Sequence, residues 1–134
     1  MLNKLKIIFF SSLICISITA SAKIILDKDA VANLEKVNYK TVKGRYHLYT
    51  YYQQAVTLLK EHNDKQLLST IIKSYVKEFH YNQNHFNLEP FIPYYKKNKN
   101  TVSILIKKIA TKKEAIDFFR KIELAEQEFT EGNG

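Results

Sequence analysis

Only Gly44, Gly132 and Gly134 supply glycine to this chain, and only Pro90 and Pro93 supply proline. An all-β domain of similar length needs frequent tight turns, and tight turns draw on these two residues. Their scarcity points to helices. Apolar periodicity points the same way. From about Arg45 to His62, Tyr49, Tyr52, Val56 and Leu59 recur at helical steps and share one face, with Tyr46 and Leu48 widening it. Gly44 is a natural break before that segment. Asn63-Asp64-Lys65-Gln66 then reads as a capping box, an N-cap followed three residues later by glutamine. It opens a second helix to about His80, carrying Leu68, Ile72, Tyr75 and Phe79 on one side. Helices joined by so short a turn are expected to lie antiparallel.

Asp27 or Asp29 can cap a short helix ending near Lys36. Residues 81–100 lose the helical period, are rich in asparagine, and contain both prolines, which disfavour a continuous helix. A last helix opens on a second capping box, Thr111 with Glu114, and carries Ala115, Phe118, Ile122, Ala125 and Phe129 as its stripe. Residues 101–110 read two ways. Val102, Leu105, Ile106 and Ile109 suit a helix, whereas Val102, Ile104 and Ile106 alternate as in a strand. The expected fold is mainly α, a small irregular bundle of four or five helices. The alternative is α+β with a strand near 101–108.

The first 22 residues carry a different pattern. Lys4 and Lys6 precede an apolar run from Ile7 to Ile18, and Ala20-Ser21-Ala22 supplies small residues for a cut before Lys23. These are the three parts of a cleavable signal peptide. The run is shorter than the ~20 residues of a comfortable membrane-spanning helix. Cys15, the sole cysteine, sits inside it behind Ile14 and Ser12, which do not suit lipid attachment. The expected organisation is a signal peptide at 1–22, one helical domain at 23–130 and a flexible tail at 131–134. No membrane-spanning segment remains after cleavage, and the product is periplasmic or secreted. A mature chain without cysteine has no disulfide, which favours a bacterial envelope or secreted protein over a small eukaryotic extracellular domain. The whole chain carries a formal charge of +8, and the leader lysines supply only two of those positive charges. Such an excess draws polyanions without choosing among nucleic acid, anionic lipid and acidic wall polymer.

No catalytic pattern is legible. Ser69, Ser74 and Ser103 fall within regular elements and outside a G-x-S-x-G elbow, and three scattered glycines cannot cradle a phosphate. No catalytic residue and no cofactor is assigned. His80, His85 and Glu89 are the residues most able to hold a metal, at a spacing far less specific than H-E-x-x-H. The paired acids of the last helix, Glu114 with Asp117 and Glu123 with Glu126, read as a solvated face.

Aromatic content is more informative. Tyr81, Phe86, Phe91, Tyr94 and Tyr95 concentrate in the aperiodic middle, where they can form a partner-binding surface. Their other role is a loop folded into the core. Lys96, Lys97, Lys99, Lys107, Lys108, Lys112 and Lys113 follow with no acid among them, a stretch suited to an anionic polymer or membrane surface. Three functions are thus open. The first is an exported non-enzymatic binding or accessory protein, whose partner is another envelope protein or a host or extracellular protein. The others are an exported metal-dependent enzyme and an anionic-surface binder.

Overall fold

The computed structural model describes residues 28–132. The leader read at 1–22 therefore lies outside the described residues. Helix α1 covers 28–36, with Ala30 and Leu34 buried one turn apart. Tyr39 folds back beneath it, its hydroxyl donating to the Leu34 carbonyl at 2.7 Å. The chain then turns sharply. A Cβ on Gly44 would stand 2.0 Å from the Asn38 carbonyl oxygen, so glycine alone fits this approach. Turn bonds continue through Tyr46 N–H to Lys43 and Leu48 N–H to Arg45. For that reason α2 begins at Leu48, three residues later than periodicity predicts, and runs Leu48–His62.

Asn63 ends α2 in the left-handed conformation at φ 49, its N–H returning to the Leu59 carbonyl. Asparagine tolerates that region better than most residues. The cap of α3 is Asp64, whose Oδ1 accepts from the Gln66 and Leu67 amides at 2.7 and 3.2 Å. The expected Asn63–Gln66 box is thus replaced by a turn residue followed by an aspartate cap. Helix α3 spans Lys65–Phe79. Tyr52, early in α2, stacks on Tyr75, late in α3, with ring centroids 3.9 Å apart. Contact between the start of one helix and the end of the next is the mark of the expected antiparallel hairpin.

The aperiodic stretch folds into a 3-10 helix, η1, at Phe86–Phe91, followed by α4 at Ile92–Lys97. Pro90 is accommodated in the tighter turn, and Pro93 lies in the first turn of α4, where no helical donor is lost. Helix α5 follows at Lys99–Ile109. Val102 and Ile106, four apart, are buried, while Ile104 between them is 61% exposed. That is a helical period, so the strand alternative near 101–108 is corrected. Helix α6 runs Lys112–Gly132. Its capping box forms as read: the Glu114 amide donates to Thr111 Oγ1 at 3.2 Å and the Thr111 amide to Glu114 Oε1 at 2.8 Å.

No strand occurs among the described residues, and the fold is mainly α. Aromatic rings knit the core. Tyr75 touches Phe79, Phe91 and Phe118, joining α3 to η1 and α6. Fully burying a large apolar side chain contributes about 1.5–3 kcal/mol. This cluster is the main cohesive element of a bundle without disulfides. None of the described helices is long and apolar enough to cross a membrane.

Candidate functional site

The apolar face of α3 contains a charge. Ile71, Ile72, Tyr75 and Phe79 point inward, and Glu78 lies among them with no exposure at all. Its Oε2 accepts from Asn82 Nδ2 at 2.7 Å and from Asn87 Nδ2 at 2.9 Å. Its Oε1 and the buried Tyr52 hydroxyl make no hydrogen bond of good geometry, yet they lie close enough to bias each other's ionisation. Burial pushes the Glu78 carboxyl above its ordinary range. The Asn82, Asn87 and Tyr52 dipoles and the Arg45 charge pull it back only in part. Burial, then the Glu78 charge, likewise holds the Tyr52 hydroxyl well above its usual value.

The two asparagines that grip Glu78 bracket a connection, residues 80–87, between α3 and η1. Nearly every part of it is tied down. The Tyr81 and Asn82 amides donate to the Glu78 carbonyl at 2.9 and 2.8 Å. Asn82 Oδ1 accepts from the Asn84 amide at 3.1 Å, and Asn84 Oδ1 from the Phe86 amide at 2.6 Å. The Tyr75 hydroxyl donates to the Asn87 carbonyl at 2.8 Å. Asparagine suits this role because its short amide bonds to the backbone two residues on.

Helix α6 holds the same connection from the other side. Lys121 is buried within it, its Nζ 3.0 Å from Asp117 Oδ2, 3.4 Å from the Asn82 carbonyl and 4.1 Å from the Phe79 ring centre. His80 Nε2 stands 2.7 Å from Glu114 Oε2, and His85 Nε2 stands 2.9 Å from Glu128 Oε2. The Thr111 backbone amide, then His80, holds Glu114 below the usual carboxylate range. Burial raises Asp117, but its bonds and charges with Arg120 and Lys121 outweigh that and leave it lowered.

A connection fixed on both flanks still turns aromatic rings outward. Tyr81 is 48% and Phe86 59% exposed. Phe86 rests on Tyr49 of α2, stacked at 5.4 Å and 27°. A groove of about 460 Å³ lies between the end of α3 and the start of α6, lined by Val76, Phe79, His80 and Gln83 on one side and by Thr111, Lys113, Glu114 and Asp117 on the other. Exposed aromatics on a backbone held this way can recognise a partner at low entropic cost, since little backbone must be ordered on binding. The same groups offer no nucleophile–base pair.

Not every residue singled out from the sequence belongs here. Phe91, Tyr94 and Tyr95 are buried, which corrects their placement on a partner-facing surface. The η1 turn rolls Phe91 between Tyr75 and Tyr94, and the Tyr94 hydroxyl reaches Asn63 Oδ1 at 3.1 Å. Of the five aromatics, Tyr81 and Phe86 alone remain accessible. His80, His85 and Glu89 do not converge either. The histidines pair with different carboxylates of α6, and no three His, Cys, Asp or Glu side chains form a metal-binding group among the described residues. The metal reading is corrected accordingly.

The basic stretch divides. Lys96 lies over Phe129 and contacts Thr130, and Lys99 pairs with Glu126 at 3.2 Å and lies over Tyr95. Lys97, Lys107, Lys108, Lys112 and Lys113 are exposed. Sequence reading misses Glu78, Asn82, Asn87 and Lys121. A signal for two of them exists, because Glu78 and Lys121 each interrupt the apolar stripe of their helix. Compared with protein-family models, curated proteins and solved structures, the chain finds no significant match in any of the three.

Proposed function

We propose that this chain is an exported, non-enzymatic binding or accessory protein of the bacterial envelope or secreted fraction. Its contact point for a protein partner is the 80–87 segment. The observation that supports it is the pairing of outward Tyr81 and Phe86 with inward anchorage on Glu78 and Lys121. A buried carboxylate and a buried ammonium are costly to desolvate, and replacing them with apolar residues is often neutral or stabilising. Here they hold a connection rather than a helix contact, which accords with selection for a defined loop shape. Export rests on the lysine-tipped apolar leader and its Ala20-Ser21-Ala22 end. Aromatic residues are favoured at protein interfaces, where they combine large contact area with modest entropy loss.

The experiment is site-specific photocrosslinking in producing cells. A photoreactive phenylalanine analogue replaces Tyr81 or Phe86, and a control placement replaces Thr57, which is exposed on α2. A discrete adduct from positions 81 and 86 but not 57 is expected, in the fraction outside the cytoplasm. Equal labelling at 57, or adducts confined to cytosolic protein, would contradict the reading.

A further inference from the structure

We propose that the α5–α6 elbow, where exposed Ile104 and Ile116 stand beside Lys107, Lys108, Lys112 and Lys113, docks on an anionic lipid bilayer. Two helices meet here with only Ala110 and Thr111 between them. On α5, Lys107 and Lys108 follow Ile104 by three and four residues, so they share its face. On α6, Lys113 and Lys112 precede Ile116 by the same steps. Ile104 and Ile116 are 61% and 60% exposed. Each isoleucine therefore sits one turn away from the elbow, with its two lysines between it and the bend.

Lys107, Lys108, Lys112 and Lys113 form no ion pair among the described residues, although Lys113 shares a groove with Glu114 and Asp117. Glu114 is turned to His80 and Asp117 to Arg120 and Lys121. Arg120, one turn beyond Ile116, adds a cation to the α6 face, although it is partly compensated by Asp117. Lys99 is paired with Glu126, whereas Lys96, held by Thr130 and Phe129, and exposed Lys97 keep their charge before α5, and the elbow adds four lysines that form no ion pair among the described residues. The isoleucines decide the class of partner. Against a hydrated polyanion they contribute little, whereas at a bilayer they enter the headgroup boundary while lysines meet anionic phosphates. Lysine stems can lie along the apolar layer with their heads in water.

The chain contains no tryptophan, so Ile104→Trp introduces a sole indole reporter. The full protein is mixed with vesicles of phosphatidylcholine alone or with an equal share of phosphatidylglycerol, and separately with heparin. A blue shift with the anionic vesicles only, weakening as salt rises, is expected. Flotation with the same vesicles should fall roughly five-fold for each lysine changed to glutamine at 107, 108, 112 or 113. It should fall roughly ten-fold for Ile116→Ser. Lys60→Gln with Lys73→Gln, exposed elsewhere, should leave it unchanged. No blue shift on anionic vesicles overturns the proposal. So does heparin retention that needs the lysines while flotation is absent, which would assign the elbow to a hydrated polymer.

Discussion

Glu78 offers the sharpest test of how the 80–87 segment is held. Glu78→Ala removes the acceptor of both Asn82 and Asn87 and opens a small cavity. A hydrogen bond to a charged group contributes about 1.5–3 kcal/mol. Both asparagines are only half-buried, so water recovers part of each bond and the pair amounts to about 2–3 kcal/mol. The cavity adds about 1 kcal/mol, and releasing a poorly bonded buried oxygen returns a similar amount. The net loss is about 2–3 kcal/mol at neutral pH. Glu78→Gln keeps an oxygen for the asparagines, places an amide donor toward the Tyr52 hydroxyl, and removes a charge. It should stay within about 1 kcal/mol of the parent.

The two variants also differ in pH dependence. Burial raises the Glu78 pKa above its ordinary value of 4.5, so the folded chain keeps a proton that the unfolded chain has lost. Stability from this group is full below 4.5 and falls as pH rises through the folded value. The slope in that window reaches about 1.4 kcal/mol per pH unit, and Glu78→Gln abolishes it. Urea unfolding followed by circular dichroism from pH 4 to 8 measures both effects. At neutral pH the alanine variant should lose about 1–2 M in midpoint. Equal losses for the two variants, or a pH profile that Glu78→Gln leaves unaltered, would refute the reasoning.

Other expectations follow from the same contacts. Lys121→Ala takes the buried ammonium from half-buried Asp117, which keeps Arg120, and strips the packing on Phe79, and should cost about 2 kcal/mol, whereas Lys121→Met, which keeps that packing, should cost less; thermal unfolding separates them. Gly44→Ala forces a methyl against the Asn38 carbonyl and should cost about 1–3 kcal/mol, read from the urea midpoint. Phe86→Ala and Tyr81→Ala should each shift stability by no more than about 1 kcal/mol, because both rings are exposed, while abolishing partner capture at the loop.

Helix placement was legible because amphipathic stripes repeat what burial enforces. Val56 and Leu59 of α2, Ile72 and Tyr75 of α3, and Phe118 and Ile122 of α6 are all in the core. Boundaries were less so. Gly44 marks the break, but the run of turn bonds from Thr41 to Leu48 that delays α2 has no apolar period to announce it. The Thr111–Glu114 box was visible because both members lie within four residues. The Asp64 cap was displaced by one because Asn63 and Asp64 compete for the same role. The middle of the chain resisted reading because 3-10 structure around Pro90 has no apolar period of its own. Residues Phe91, Tyr94 and Tyr95 look as surface-ready as Phe86 until Tyr75 and Asn63 are placed beside them. The anchors Asn82 and Asn87 read as ordinary loop asparagines because their partner, Glu78, belongs to a helix face that periodicity marks as apolar.

The central physical claim is that residues 80–87 form a fixed platform rather than a mobile connection. Backbone ¹⁵N relaxation on the folded protein tests it directly. Order parameters for Tyr81, Asn82, Asn84 and Phe86 near the ~0.85 of rigid helices are expected. Values below ~0.6 across those four residues would mean that Glu78 and Lys121 do not restrain the segment, and the binding surface built on that restraint would be lost.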